Sequence, residues 1–231
     1  MKKLNKVMGS TLLATTLSFG VIAPPAVAEL ASSATLASSY LWRGFELGSG
    51  TPVVSADLVY SNSGFYGGVW VSSGDTAAGT EYDLFAGYGG SIGDDFTYDI
   101  SYVTYVYPTG AFFDTEGQPG DFAEIVLNLG FGPVSFTYKD NVAGDNGGYA
   151  FTKDYKYYSL DASVGKFGFA LGMHDEGVDL AAVTGDATHF DVTYAATENL
   201  SFTVSAIVDS DFASEDEPEP TVVASYSIPL M

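Results

Sequence analysis

Leu200-Ser201-Phe202-Thr203-Val204-Ser205-Ala206 alternates, residue by residue, between side chains that suit hydrocarbon and side chains that suit water. Val208 and Asp209 carry the two rows onward. A period of two places successive side chains on opposite faces of a β-strand. One face here is Leu200, Phe202, Val204, Ala206 and Val208, and the other is Ser201, Thr203, Ser205 and Asp209.

The same unit recurs on either side of this stretch, bounded each time by Gly, Asn, Asp, Ser or Pro. Val54, Ala56, Leu58 and Tyr60 oppose Ser55, Asp57 and Val59; Tyr158, Leu160, Ala162 and Val164 oppose Ser159, Asp161 and Ser163. Twelve strands are predicted, over 31–46, 51–61, 64–73, 80–89, 95–107, 121–131, 133–141, 154–164, 166–175, 187–196, 199–210 and 220–230. Ten or fourteen result if one hairpin is merged or split. In the clearest of these segments every charge falls on the polar row. A charged side chain facing lipid costs roughly 2–4 kcal/mol near the bilayer midplane, so this segregation suits a membrane wall. No later segment supplies the roughly 20 consecutive apolar residues of a spanning helix, so the chain crosses a bilayer, if at all, with strands. The expected fold is all-β: a transmembrane, antiparallel, up-and-down β-barrel. A soluble β-sandwich shares the alternation, but polar rows of Gly, Ser, Thr and Asp and an aromatic content of 15% favour the membrane.

Lys2, Lys3 and Lys6 precede an uncharged run from Val7 to Ile22, then Ala23-Pro24-Pro25-Ala26-Val27-Ala28. A basic head, a short apolar middle and a small-x-small end predict a secretory signal over 1–28, cut after Ala28, and a barrel domain over 29–231. A retained anchor is the alternative, against which the two prolines argue. Cysteine is absent, which excludes disulfides and thiol chemistry. The 29 acidic residues all lie after position 28, against Arg43, Lys139, Lys153, Lys156 and Lys166, so no nucleic-acid partner is expected.

Connections alternate in length. Residues 61–64, 90–94, 130–133, 165–166 and 197–199 are tight, whereas 74–79, 108–120, 142–153, 176–186 and 211–219 are longer. The connection at Gly48-Ser49-Gly50 is short although it falls on the long side. Outer-membrane barrels keep short turns in the periplasm, so both termini are expected there. Phe65 and Tyr66, Tyr88, Phe96 and Tyr98, Tyr105 and Tyr107, Phe131, Tyr155 and Tyr157 sit toward strand ends and read as interfacial girdles.

Ala37-Ser38-Ser39-Tyr40-Leu41-Trp42-Arg43-Gly44-Phe45-Glu46-Leu47, then Pro52 and Gly64-Phe65-Tyr66-Gly67-Gly68-Val69-Trp70, resembles the opening of the TorF-type porin family of proteobacteria; Gly130-Phe131-Gly132-Pro133-Val134-Ser135 is similar to its mid-chain turn. The likeness is strong over roughly the first 45 residues after position 28 and only pattern-like beyond. It implies an outer-membrane barrel named a porin by fold, with no catalytic residue and no cofactor. The ending Tyr226-Ser227-Ile228-Pro229-Leu230-Met231 departs from the terminal aromatic residue that barrel assembly machinery reads.

Inward charge is the functional signal in a barrel. Asp57, Glu81, Asp83, Asp99, Glu124, Asp161, Asp191 and Asp209, with Arg43 and Lys139, are the pore-lining candidates. Acids around a pore favour cations. The expected function is passive diffusion of small solutes or ions, with outer-membrane lipid and lipopolysaccharide as surroundings. The alternatives are a braced, non-conducting surface barrel, serving adhesion or envelope stability, and an outer-membrane hydrolase. His174, Asp175, Glu176 and Asp179, with His189 and Asp191, lack fixed metal-ligand spacing; a solvated loop mouth explains them better. The acidic run 209–220 lacks the glycine and spacing of a calcium loop. Ser201, Ser205, His189 and Asp191 lie on neighbouring strands, yet no G-x-S-x-G occurs. Gly87 to Gly93 reads as a turn, not a nucleotide loop.

Overall fold

The computed structural model describes residues 28–75, 79–109, 119–120, 122–143, 150–151, 154–180, 183–211 and 219–231. Its strands, in chain order, are β1 (Glu29–Ala37), β2 (Leu41–Trp42), β3 (Phe45–Glu46), β4 (Val53–Asn62), β5 (Phe65–Asp75), β6 (Gly79–Ile92), β7 (Phe96–Val106), β8 (Phe122–Phe131), β9 (Val134–Asn141), β10 (Ala150–Phe151), β11 (Lys156–Val164), β12 (Phe167–Leu180), β13 (Val183–Ala195), β14 (Leu200–Ser210) and β15 (Thr221–Pro229). No helix occurs among the described residues.

Twelve of these strands pair antiparallel around a closed circuit. The order runs β12, β11, β9, β8, β7, β6, β5, β4, β1, β15, β14, β13 and back to β12. Closure leaves no wall strand with an unpaired edge, the condition for a sheet to stand in hydrocarbon. β10 adds to the far end of β12, and β2 pairs with β3 alone.

The wall alternates as its sequence does. Val54, Leu58 and Tyr60 of β4 stand on the outer surface and Asp57 on the inner. Leu160 is 52% exposed at the middle of β11, between the inward Ser159 and Asp161. Phe167, Phe169, Leu171 and Met173 continue the outer row on β12. An apolar exterior of this kind suits hydrocarbon. Leu160→Lys is therefore expected to lower stability in lipid vesicles by about 2–4 kcal/mol in urea titrations. The same change at the exposed Asp154 is expected to alter the midpoint little.

Three features differ from the sequence expectation. The first strand does not run over 31–46: β1 stops at Ala37, which pairs with Val53 of β4, and after Ser38, still hydrogen-bonded to Ala224 of β15, the chain leaves the wall until residue 53. The connection that looked short is thus long, like its neighbours on that side. Second, β5 with β6 and β12 with β13 extend into the expected loops 74–79 and 176–186, the latter pair with a register shift between His174 and Val178. Third, the aromatic residues divide between two places. Phe65, Tyr88 and Phe131 stay on the outer surface near the tight turns, whereas Tyr66, Tyr105, Tyr107, Tyr155 and Tyr157 turn inward and hydrogen-bond there.

The buried apolar clusters lie inside the barrel. One joins Trp42 and Phe45 to Tyr155, Tyr157, Ala187 and Ile207; a second joins Tyr40 and Leu41 to Ala37, Val53 and Val223. A third, Phe85, Val103, Tyr105, Phe122 and Val126, lines β6 to β8. Two of the three are built on residues 38–52, so that segment is a plug packed like a protein core.

Candidate functional site

The plug is a β-hairpin. Leu41 faces Glu46, Trp42 faces Phe45, and the Leu47 amide donates to the Tyr40 carbonyl at 2.8 Å. Arg43 and Gly44 form its tip, with φ of 46° and 91°. Positive φ at both central residues is what a two-residue hairpin of native twist requires. Gly44 meets a second demand, since a Cβ there would come within 2.5 Å of His189 Cβ and Cγ. Arginine is unusual at the preceding position, and the contacts of its head group offset the strain. At the hairpin base the Glu46 carboxylate accepts from the Gly48 amide at 2.8 Å, the Gly50 amide at 3.2 Å and the Ser39 hydroxyl.

The tip carries the only arginine of the chain into the centre of the lumen. Arg43 Nη1 donates to Glu124 Oε1 at 2.8 Å and Nη2 to Oε2 at 2.5 Å, a two-pronged pair whose members are both buried. Tyr105 donates to Glu124 Oε2 at 2.6 Å, and Arg43 Nη1 also donates to the Tyr155 hydroxyl at 2.9 Å. The guanidinium lies 4.7 Å from the Trp42 ring centroid and 4.8 Å from that of Tyr157. Planarity, paired donors and stacking make arginine, not lysine, the residue for this position.

Two histidines of the wall meet the hairpin tip, His174 through a hydrogen bond and His189 through close packing on Gly44. His174 Nε2 lies 2.8 Å from the Arg43 carbonyl, which can only accept, so this nitrogen carries a proton. In the neutral ring Nδ1 then accepts from the Tyr155 hydroxyl at 2.9 Å. His189 Nδ1 lies 3.0 Å from Asp191 Oδ1, and its Nε2 faces the Tyr157 hydroxyl at 2.9 Å. Gly172 leaves room for that contact: a Cβ there would come within 2.0 Å of His189 Nε2.

The ten pore-lining candidates fall into three groups. Arg43, Glu124, Glu81, Asp83 and Lys139 are buried together around the hairpin tip and its flank. Glu81 accepts from Tyr40 at 2.7 Å and Tyr107 at 2.8 Å, which ties the hairpin stem to β6 and β7. Asp57, Asp99, Asp161 and Asp191 line the inner face nearer the tight turns. Asp57 accepts from Ser33, Asp99 from Tyr66 at 2.9 Å, Asp161 from Ser159 at 2.7 Å and Asp191 from Ser205 at 2.5 Å. Asp209 is not enclosed. A bulge opposite Thr188 and His189 shifts the register of β14, and Asp209 stands exposed beyond it.

Ser205 bonds to Asp191, not to His189, so the serine, histidine and aspartate do not form a nucleophile relay. Among the described residues no three His, Asp or Glu side chains converge as a metal site; the masked side chain of Glu176 and the run 212–218 lie outside them. The residues the sequence reading missed are the inward tyrosines and both histidines as hairpin anchors. Their signal was parity: Tyr105 shares a face with Asp99 and Ser101, and Tyr157 with Ser159 and Asp161.

Among solved structures, OccAB2 of Acinetobacter baumannii resembles the chain at 14% identity with a TM-score of 0.41, over 78% of this chain and 55% of that one. This chain thus spans about half the length of OccAB2. The KdgM porin resembles it at 8% identity with a TM-score of 0.42, over 87% of this chain and 98% of that one. Both scores are too low for shape to carry an inference, and the barrel rests on its own strand pairings. No curated protein matches the chain. Residues 23–212 match the model of the family described as bacterial protein of unknown function (Gcw_chp), and the chain belongs to that family.

Proposed function

We propose that the chain is a porin-like barrel of a bacterial outer membrane that passes small solutes with a preference for cations, and that the Arg43 hairpin closes its lumen. In this reading residues 1–28 are a signal removed on export. Both termini are periplasmic, and the hairpin descends from the outer, long-loop side. The resemblance of the stretch around Arg43 to TorF-type porins is in keeping with this assignment. Outer-membrane lipid, lipopolysaccharide and the barrel assembly machinery are the partners it entails.

The observation that carries it is the lining of a closed wall. Asp57, Asp99, Asp161 and Asp191 face inward, Asp57 and Asp161 with partial exposure. Of the basic residues described, Lys156 and Lys166 sit at strand ends, outside this lining, and Lys139 is buried inside the barrel within electrostatic reach of Glu124, Asp83 and Asp161. Arg43 is neutralised by Glu124. Anions entering from the turn side meet an inner face with four aspartates and one lysine, Lys139.

A second reading, a braced barrel that never conducts, is favoured by the burial of the Arg43–Glu124 pair across the middle of the lumen. Planar-bilayer recordings in a KCl gradient separate the two. The proposal expects infrequent openings whose reversal potential lies on the cation side. Anion-side reversal would count against the selectivity, and silence from both the wild type and a barrel lacking the hairpin would favour the braced reading.

A further inference from the structure

Asp83 is the buried acid whose position nothing yet described explains. It is 0% exposed, and neither of its carboxylate oxygens has a hydrogen-bond donor. The other enclosed acids are all served. Glu124 has Arg43 and Tyr105, Glu81 has Tyr40 and Tyr107, Asp99 has Tyr66 and Asn128, and Asp191 has Ser205 and His189. What stands within hydrogen-bonding range of Asp83 is the Glu81 carboxylate, an acceptor like itself. Its cross-strand neighbours are Trp70 of β5 and Tyr105 of β7, so water is excluded on both flanks.

Two touching carboxylates in such surroundings require positive charge between them, because an uncompensated buried ion costs several kcal/mol. The charged groups in electrostatic reach of Asp83 are Glu81, Glu124 and Lys139. Lys139 is the one base among them, and the Arg43 guanidinium is committed to both oxygens of Glu124. Asp83 itself is left with no donor on either oxygen. A shared proton would serve one oxygen of Asp83 and leave the other bare, whereas a metal cation can take both. The absence of a third converging acid or histidine among the described residues argues against a divalent or transition ion. Carboxylate and phenolic oxygens are a hard donor set.

We propose that Asp83, together with Glu81, binds a monovalent metal cation of the sodium or potassium class inside the barrel. Next along the sheet is the partly exposed Asp57, which pairs with Trp70 as Trp70 pairs with Asp83, so the two acids are separated by a single residue. The site stands on the enclosed geometry and does not need the barrel to conduct.

The test uses the intact protein in detergent micelles with sodium ion as probe. Excess sodium-23 relaxation is expected for the wild type, is expected to be competed away by potassium, and is expected to vanish in Asp83→Asn while persisting in Asp57→Asn. The melting midpoint should rise in sodium chloride over choline chloride for the wild type and not for Asp83→Asn. If Asp83→Asn fails to fold, Glu81→Gln should weaken the sodium signal. A wild type indifferent to sodium and potassium overturns the proposal. If such a protein gains stability on acidification, a proton shared by Asp83 and Glu81 takes the cation's place. Sodium binding in a barrel that passes no current would leave this site standing and remove the transport reading, and cation-selective current without sodium binding would do the reverse.

Discussion

Arg43→Ala is expected to release the hairpin, seen as faster hydrogen exchange of the Leu47 amide, which donates to the Tyr40 carbonyl in the folded hairpin. Removing one member of a buried ion pair leaves the other desolvated, at a cost of roughly 3–5 kcal/mol. At about 1.4 kcal/mol per tenfold, exchange should accelerate by roughly two to four powers of ten. The barrel has an exit cheaper than unfolding, since withdrawal of the hairpin returns Glu124 to water. The wall, whose strands do not pair with β2 or β3, should therefore keep its urea midpoint better than its hairpin protection. Arg43→Lys is expected to recover only part of the protection, because an ammonium cannot span both oxygens of Glu124. Arg43→Met with Glu124→Leu should recover most of it, since two apolar groups of similar size remove the stranded charge. If the double variant exchanges as fast as Arg43→Ala, attraction between the charges, and not relief of desolvation, holds the hairpin.

Wall strands were legible because each has one face toward lipid and one toward the lumen, so the two-residue period survives in the sequence. Val54, Leu58 and Tyr60 against Asp57, or Leu160 and Val164 against Asp161, read as strands with one apolar and one polar face. Residues 38–47 were misread for the same physical reason. Leu41, Trp42 and Arg43 are all nearly inaccessible, 1%, 5% and 4% exposed, because a hairpin inside a barrel has no solvent face on which alternation could register. The discordant sign was the missing long loop at the first connection. Tyrosine misled at the site because its ring suits a membrane interface while its hydroxyl suits a buried carboxylate; Tyr105 and Tyr155, read as girdle residues, are donors within the Arg43 cluster. Charge on the inner row was legible as a set, but which acids pair depends on the barrel's curvature and stagger. That is why Arg43 and Glu124, far apart in sequence, could not be matched in advance, and why Asp209, shifted by a bulge, was placed in the lumen.

Excision of the hairpin is expected to convert rare openings into a steady, cation-preferring conductance. Ala37 and Val53 are direct cross-strand partners, so β1 and β4 can be joined by a short Asn-Gly turn in place of residues 38–52 without changing the register of the wall. The excision removes Tyr40, Leu41, Trp42, Arg43 and Phe45 from the interior, and with them the two apolar clusters they seed. What remains is an inner face of Ser, Thr, Asp and Glu with inward tyrosines, the two histidines and the apolar cluster of Phe85, Val103, Phe122 and Val126 on β6 to β8, a mixed lining that water can enter. Loss of Arg43 also leaves Glu124 without its hydrogen-bonded counterion, with Lys139 as the remaining base in reach, so cation preference should sharpen as conductance rises, and Glu124→Gln in the excised barrel should blunt it. Single-channel recording in a KCl gradient reads both quantities at once. A folded, membrane-inserted barrel without the hairpin that still passes no current would mean that wall side chains alone fill the lumen, and the role of gate would then be withdrawn from residues 38–52.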